Sequence, residues 1–113
     1  DKVQSVAFSP AGNILATGGD DGTVRLWDVC NGECLNTFQG HTDWIYSVAL
    51  NSEKTLIASG SYDQTVRLWN ISTGECLKIL QGHSNQIRSV AFCPSDKILA
   101  SGSYDQTVRL WDI

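Results

Sequence analysis

His41, Ser59 and Asp63 are the residue types of a nucleophilic triad, in which an imidazole takes the hydroxyl proton and a carboxylate orients the ring. The set returns as His83, Ser101 and Asp105, and without a histidine as Thr17 and Asp21. A catalytic site would differ between copies, whereas this constellation recurs along the chain, and no oxyanion-hole glycine motif accompanies it. The expectation is a structural role for these residues and no enzymatic activity.

Other chemistries have weaker support. The glycine-rich stretch 18–22 lies between two strand-like runs, while a phosphate cradle needs the amides of a helix start. Asp20 and Asp21 lack the neighbouring oxygen ligands of a cation site. Cys30, Cys34, Cys76 and Cys93 form no CxxC pair, and the two histidines complete no zinc spacing. No metal or cofactor is expected. The cysteines are read as reduced, mostly buried small side chains, which suits a cytoplasmic compartment. The 113 residues are 42% hydrophobic and carry a net charge of −4, without a basic run, so nucleic acid is not an expected partner. No apolar run reaches the roughly 20 residues of a membrane helix, and no signal-peptide pattern opens the chain, so a membrane is not expected either.

The elements that must position these side chains follow from one period. Trp27-Asp28, Trp69-Asn70 and Trp111-Asp112 stand 42 residues apart, as do Gly40-His41 and Gly82-His83. Residues 58–69 and 100–111 are identical. Such a chain is a row of supersecondary units that bury their apolar faces against neighbours. The units are expected at 1–42, 43–84 and 85–113. In the second, β-forming runs at 45–50, 56–60, 65–71 and 76–80 alternate with polar turns at 51–54, 61–64 and 72–75, which reads as a four-stranded antiparallel meander. The first supplies 3–8, 14–18, 23–29 and 34–39, and the third 87–92, 98–102 and 107–113, eleven strands in all. Along 65–71, Val66 and Leu68 point to one side and Trp69 to the other. A sheet that is apolar on both faces must lie between two others. The expected class is therefore all-β, as blades of a propeller, with the third blade lacking its outer strand.

The Gly-His and Trp-Asp dipeptides, with Ser-Gly-Ser-Tyr-Asp between them, resemble the WD-repeat β-propeller family over the whole chain. The resemblance implies a structural hydrogen-bond tetrad of His41, Ser59, Asp63 and Trp69, repeated as His83, Ser101, Asp105 and Trp111, with Thr17, Asp21 and Trp27 as an incomplete set. It implies no catalysis, since the indole occupies the hydroxyl. It also implies binding of proteins or peptides on the face rimming the central channel. By motif position that face would hold Lys2, Gln4 and Asp20 in the first repeat. Trp44, Tyr46 and Tyr62 follow in the second, and Gln86, Arg88 and Tyr104 in the third. Trp, Tyr and Arg dominate binding hot spots. Trp44 stands out because Lys2 and Gln86 match it in the neighbouring repeats. Tyr62 and Tyr104 also admit a plain packing role at the blade edge.

The recurring Arg25, Arg67 and Arg109 are expected to make blade-to-blade ion pairs. Fewer than three blades cannot close a ring, because propellers need typically four to eight. Either further blades of one polypeptide or several copies of this chain must cover the end faces. The expected function is a protein-interaction scaffold, by family analogy a sensor or regulatory module of a larger signalling protein. The other reading is a self-assembling structural module.

Overall fold

Short β-branched and aromatic runs separated by Gly, Asn, Asp and Thr turns give strands and nothing else. The computed structural model describes residues 2–53 and 55–113; Asp1 and Lys54, the latter closing the expected turn at 51–54, lie outside them. The described residues form eleven strands: β1 (Val3–Phe8), β2 (Ile14–Gly19), β3 (Thr23–Asp28), β4 (Cys34–Gln39), β5 (Ile45–Leu50), β6 (Leu56–Ser61), β7 (Val66–Asn70), β8 (Cys76–Leu80), β9 (Ile87–Phe92), β10 (Ile98–Ser103) and β11 (Val108–Asp112). They make antiparallel sheets in the orders β1-β2-β3-β4, β5-β6-β7-β8 and β9-β10-β11. Each second strand runs one residue past expectation. The third strand of the later sheets starts one residue late, at Val66 and Val108.

The sheets stack face to face because each is apolar on both sides. Val24 and Leu26 of β3 are buried with Ile45, Val48, Ile57 and Trp69 of the second sheet. Val66 and Leu68 of β7 are buried with Ile87, Val90 and Leu99 of the third. Trp69, on the opposite face of β7, meets Phe38 of β4 with ring centroids 5.7 Å apart. Each such aliphatic side chain contributes about 1.5–3 kcal/mol when fully buried. The first strands of the sheets run side by side and are stitched at the same step: Val48 N–H donates to Ser5 Oγ and Val90 N–H to Ser47 Oγ, each at 3.2 Å.

The outer faces of the stack are bare. Val108 and Leu110, the counterparts of buried Val66 and Leu68, are 73% and 70% exposed. At the other end Val3, Val6 and Phe8 of β1 are exposed. Among the described residues strand β11 pairs only with β10.

Two expectations fail. The cysteines are free thiols, but Cys30 and Cys34 are exposed and Cys76 and Cys93 half-buried. Cys34 and Cys76 open the outermost strands, β4 and β8, where few neighbours cover a side chain. The arginines form no blade-to-blade ion pairs among the described residues. Arg25 pairs with Asp21 of its own sheet at 3.2 Å. Arg67 shares a face of β7 with Trp69 and donates from Nη1 to Cys76 Sγ at 3.9 Å instead of to a carboxylate, and it lies so near Gly40 that a Cβ there would stand 2.7 Å from its Nη1. Arg109 lies against Gly82 in the same way.

Candidate functional site

The repeated polar set closes into a network in the second sheet. The Trp69 indole N–H donates to Ser59 Oγ at 2.9 Å, His41 Nε2 lies 2.6 Å from the same oxygen, and His41 Nδ1 lies 2.8 Å from Asp63 Oδ2. Burial alone would raise the Asp63 carboxyl, but hydrogen bonds from His41 and Thr65 outweigh it and hold the group well below the usual carboxylate range. The third sheet repeats the arrangement with Trp111, Ser101, His83 and Asp105 at 2.8 Å for each link. The Thr107 hydroxyl is the main group lowering Asp105, against a smaller rise from burial. In the first sheet Trp27 donates to Thr17 Oγ1 at 2.9 Å, while Asp21 turns to Thr23 and Arg25. Ser59 and Ser101 are buried, and each hydroxyl is held between an indole and an imidazole, so neither is presented to a substrate. A satisfied network of this kind ties three elements together, since leaving any member unpaired costs its desolvation.

Thr65 and Thr107 belong to this network and were missed by residue-type reasoning. Thr65 Oγ1 donates to Asp63 Oδ1 at 2.6 Å, and Thr107 makes the same bond to Asp105. The repeated Asp-x-Thr at 21–23, 63–65 and 105–107 carried the signal.

A second cluster lies where the first strand of each sheet begins. Trp44, Tyr46 and Tyr62 form a triangle with ring centroids 5.9–6.2 Å apart. The Arg88 guanidinium stacks 3.9 Å above the Tyr46 ring and lies 5.2 Å from the Tyr104 ring. Backbone pairing sets these positions. Tyr62 N–H donates to the Trp44 carbonyl and Tyr104 N–H to the Gln86 carbonyl, as Asp20 N–H does to Lys2. The strand register skips one residue at Gln4, Tyr46 and Arg88, so each is the extra residue of a β-bulge. A bulge bends the strand and re-aims a side chain, which carries these three onto the rim instead of into the interface between sheets. The bulge leaves no trace in residue type, so the sequence offered no physical reason for the positions the resemblance marked.

The first sheet's share of the rim is polar: the Gln4 amide donates to Asp20 Oδ1 at 2.7 Å, and Lys2 is exposed. Trp44, Tyr62 and Tyr104 are 43%, 44% and 57% exposed, Arg88 is exposed, and Tyr46 and Gln86 are half-buried. Trp44 and Tyr62 line an open recess of about 320 Å³ together with Asp43, a residue the sequence did not single out. Among the described residues no helix is long and apolar enough to cross a membrane.

Radially stacked antiparallel sheets locked by a Trp–Ser–His–Asp network define a segment of a WD-repeat β-propeller. The chain belongs to that family: the model described as "IFT122 first beta-propeller" matches residues 1–113. Curated relatives match in part. The "Probable serine/threonine-protein kinase PkwA" of Thermomonospora curvata is 51% identical over 41 residues, 36% of this chain and 6% of that protein. The "Nuclear distribution protein PAC1" of Fusarium vanettenii is 47% identical over 51 residues, 38% of this chain and 11% of the relative. A "Ribosome biogenesis protein BOP1 homolog" of Brugia malayi is 51% identical over 37 residues, 32% and 6% of the two chains. The chain thus spans about a tenth or less of the length of these relatives. Propellers of this family are interaction scaffolds and generally non-catalytic.

Proposed function

We propose that this chain is a non-catalytic protein-interaction module, and that partners dock on the rim formed by Trp44, Tyr46, Tyr62, Arg88 and Tyr104, with Gln86, Lys2, Gln4 and Asp20 at its margins. The observation that carries this reading is the aromatic cluster itself. Trp44, Tyr62 and Tyr104 at 43–57% exposure, beside Tyr46 and Arg88 at the bulges, provide apolar contact area with little side-chain entropy to lose on binding. Partners are proteins or peptides, not nucleic acid or membrane: the net charge is −4, and among the described residues the rim carries two cations, Arg88 in the aromatic cluster and Lys2 at the margin. The working compartment is the cytoplasm, consistent with four free thiols. In a larger polypeptide the module would serve regulation. The partial match to a protein named as a probable kinase supports that context.

The test is peptide selection on the wild-type chain, followed by affinity measurement on Trp44→Ala/Tyr46→Ala. The double variant is expected to lose at least about tenfold in affinity, the scale of one hot spot. Selected peptides that bind it with full affinity would remove the rim from consideration.

A second reading rests on the bare end faces. Val108 and Leu110 at one end, and Val3 and Val6 at the other, occupy the positions that pack together inside the stack. Several copies joined head to tail would bury both sets. Light scattering after size exclusion decides between them. A discrete folded oligomer supports self-assembly, and a monomer or an indefinite aggregate assigns the faces to further blades in the same polypeptide.

A further inference from the structure

The two halves of the aromatic cluster differ in one respect. Tyr46 already has a cation on its face, the Arg88 guanidinium at 3.9 Å. Trp44 and Tyr62, whose rings meet at 67° with centroids 5.9 Å apart, have none among the described residues, although indole is the strongest cation–π acceptor among side chains. Asp43 lines the same recess, and its side chain lies against the Trp44 backbone. Asp43 Oδ1 accepts the Trp44 N–H at 2.8 Å, which fixes the turn into β5. Asn85 makes the same bond to Gln86 N–H at 2.8 Å in the next repeat, so the turn needs an oxygen but no charge. Asp43 therefore places a negative charge beside two exposed rings without a structural demand for it. Among the described residues no Lys or Arg pairs with it.

We infer that the Asp43–Trp44–Tyr62 recess is a receptor for one basic side chain, arginine or lysine, of a protein partner. This rests on the reading of the rim as a docking face and names the chemistry of one contact within it. The volume of about 320 Å³ lies at the small end of ligand pockets, roughly 300–1,000 Å³, and suits a single long side chain. The charged head lies against the indole and phenol faces with its N–H groups toward Asp43, and the alkyl stem packs along the rest of the rings. Arg88, across the Tyr46 ring, sets the other half of the preference. Its stacked guanidinium makes no ion pair among the described residues and can offer its N–H edge to a carboxylate, so the segment that fits best carries its acidic residue on the third-sheet side.

The probe is N-acetyl-arginine methylamide, with the citrulline analogue as its uncharged counterpart, titrated into the full chain while the indole N–H signals are followed by NMR. Trp44 is the exposed indole, Trp69 is buried, and Trp27 and Trp111 are half-buried. The expected result is a saturable shift of the Trp44 signal at millimolar arginine probe, at least about fivefold weaker with citrulline. Asp43→Asn, which keeps the turn bond as Asn85 does, is expected to weaken the arginine probe to the citrulline level with an unchanged melting temperature. Equal binding of the two probes, equal binding to Asp43→Asn, or no saturable shift at Trp44 would overturn the assignment. Each of these outcomes leaves the rim reading standing, because that reading falls only if peptides ignore Trp44→Ala/Tyr46→Ala.

Discussion

Gly60 of β6 faces Ile87 of β9 so closely that a Cβ on the glycine would stand 2.6 Å from Ile87 Cγ2. Gly18 meets Ile45 one repeat earlier in the same way, at 2.5 Å. The sheets approach at these points because no side chain intervenes. Gly102 holds the matching position in β10 and has nothing within 4 Å. Gly60→Ala is therefore expected to destabilise the chain by about 1–3 kcal/mol through overpacking, and Gly102→Ala to leave it nearly unchanged in the monomer. Denaturant unfolding of both variants measures the contrast. If Gly102→Ala proves as costly as Gly60→Ala, another sheet covers that face in solution.

The hydrogen-bonded tetrad should be more costly to break where it is buried and complete. Ser59→Ala leaves the buried Trp69 N–H and His41 Nε2 without their shared partner, and Trp69→Phe removes the indole's bond to Ser59 together with buried ring contact, each with an expected loss of about 1–3 kcal/mol. Trp27→Phe removes one bond to Thr17, at a half-buried position without a histidine, and its loss should be smaller. Thermal and denaturant unfolding report all three. Unchanged stability in both second-sheet variants would show that the tetrad does not hold the blade.

Acid should weaken the fold through the same residues. The folded-state values of Asp63 and Asp105 lie below the ordinary 3.8. Their stabilising contribution is present above the unfolded-state value and is lost as the pH falls through the folded one. Melting temperature is expected to be flat on this account above about pH 5 and to fall below about pH 4. Asp63→Asn/Asp105→Asn should start lower and decline less steeply. An equally steep decline in the double variant would assign the acid sensitivity to other carboxylates, of which Asp21 and Asp96 are also lowered.

Backbone strain gives a stabilising prediction. Gln64 and Gln106 hold φ of 73° and 72°, the left-handed region, where the first repeat has Gly22 at 76°. A side chain there costs roughly 1–2 kcal/mol, partly offset by the greater freedom glycine has when unfolded. Gln64→Gly is expected to raise stability by about 0.5 kcal/mol, seen as a small increase in the denaturation midpoint. A fall of the same size would mean that the Gln64 side chain makes a compensating contact.

Much of this architecture is carried by local pattern. The 42-residue step, the period-two alternation around each tryptophan and the glycines between runs specify strands, their order and the meander, because pairing of adjacent strands through short turns is a local matter. Aligning the repeats showed that His41, Ser59 and Asp63 recur, while their joining with Trp69 into a tetrad came from the family resemblance. Residues 58–69 and 100–111 mark the limit, being identical while their surroundings are not. Val66 is fully buried and Val108 is 73% exposed, because burial is conferred by the next sheet and not by the strand itself. The cysteines and arginines were misjudged for a related reason: an outer strand lacks neighbours, and a guanidinium pairs with whatever group the fold sets beside it, the Asp21 carboxylate for Arg25 and the Cys76 thiol for Arg67. The meeting of Arg88 from one sheet with Tyr46 from another likewise belongs to the tertiary structure alone, since residues 42 apart are brought together only when two sheets stack and two bulges turn the same way.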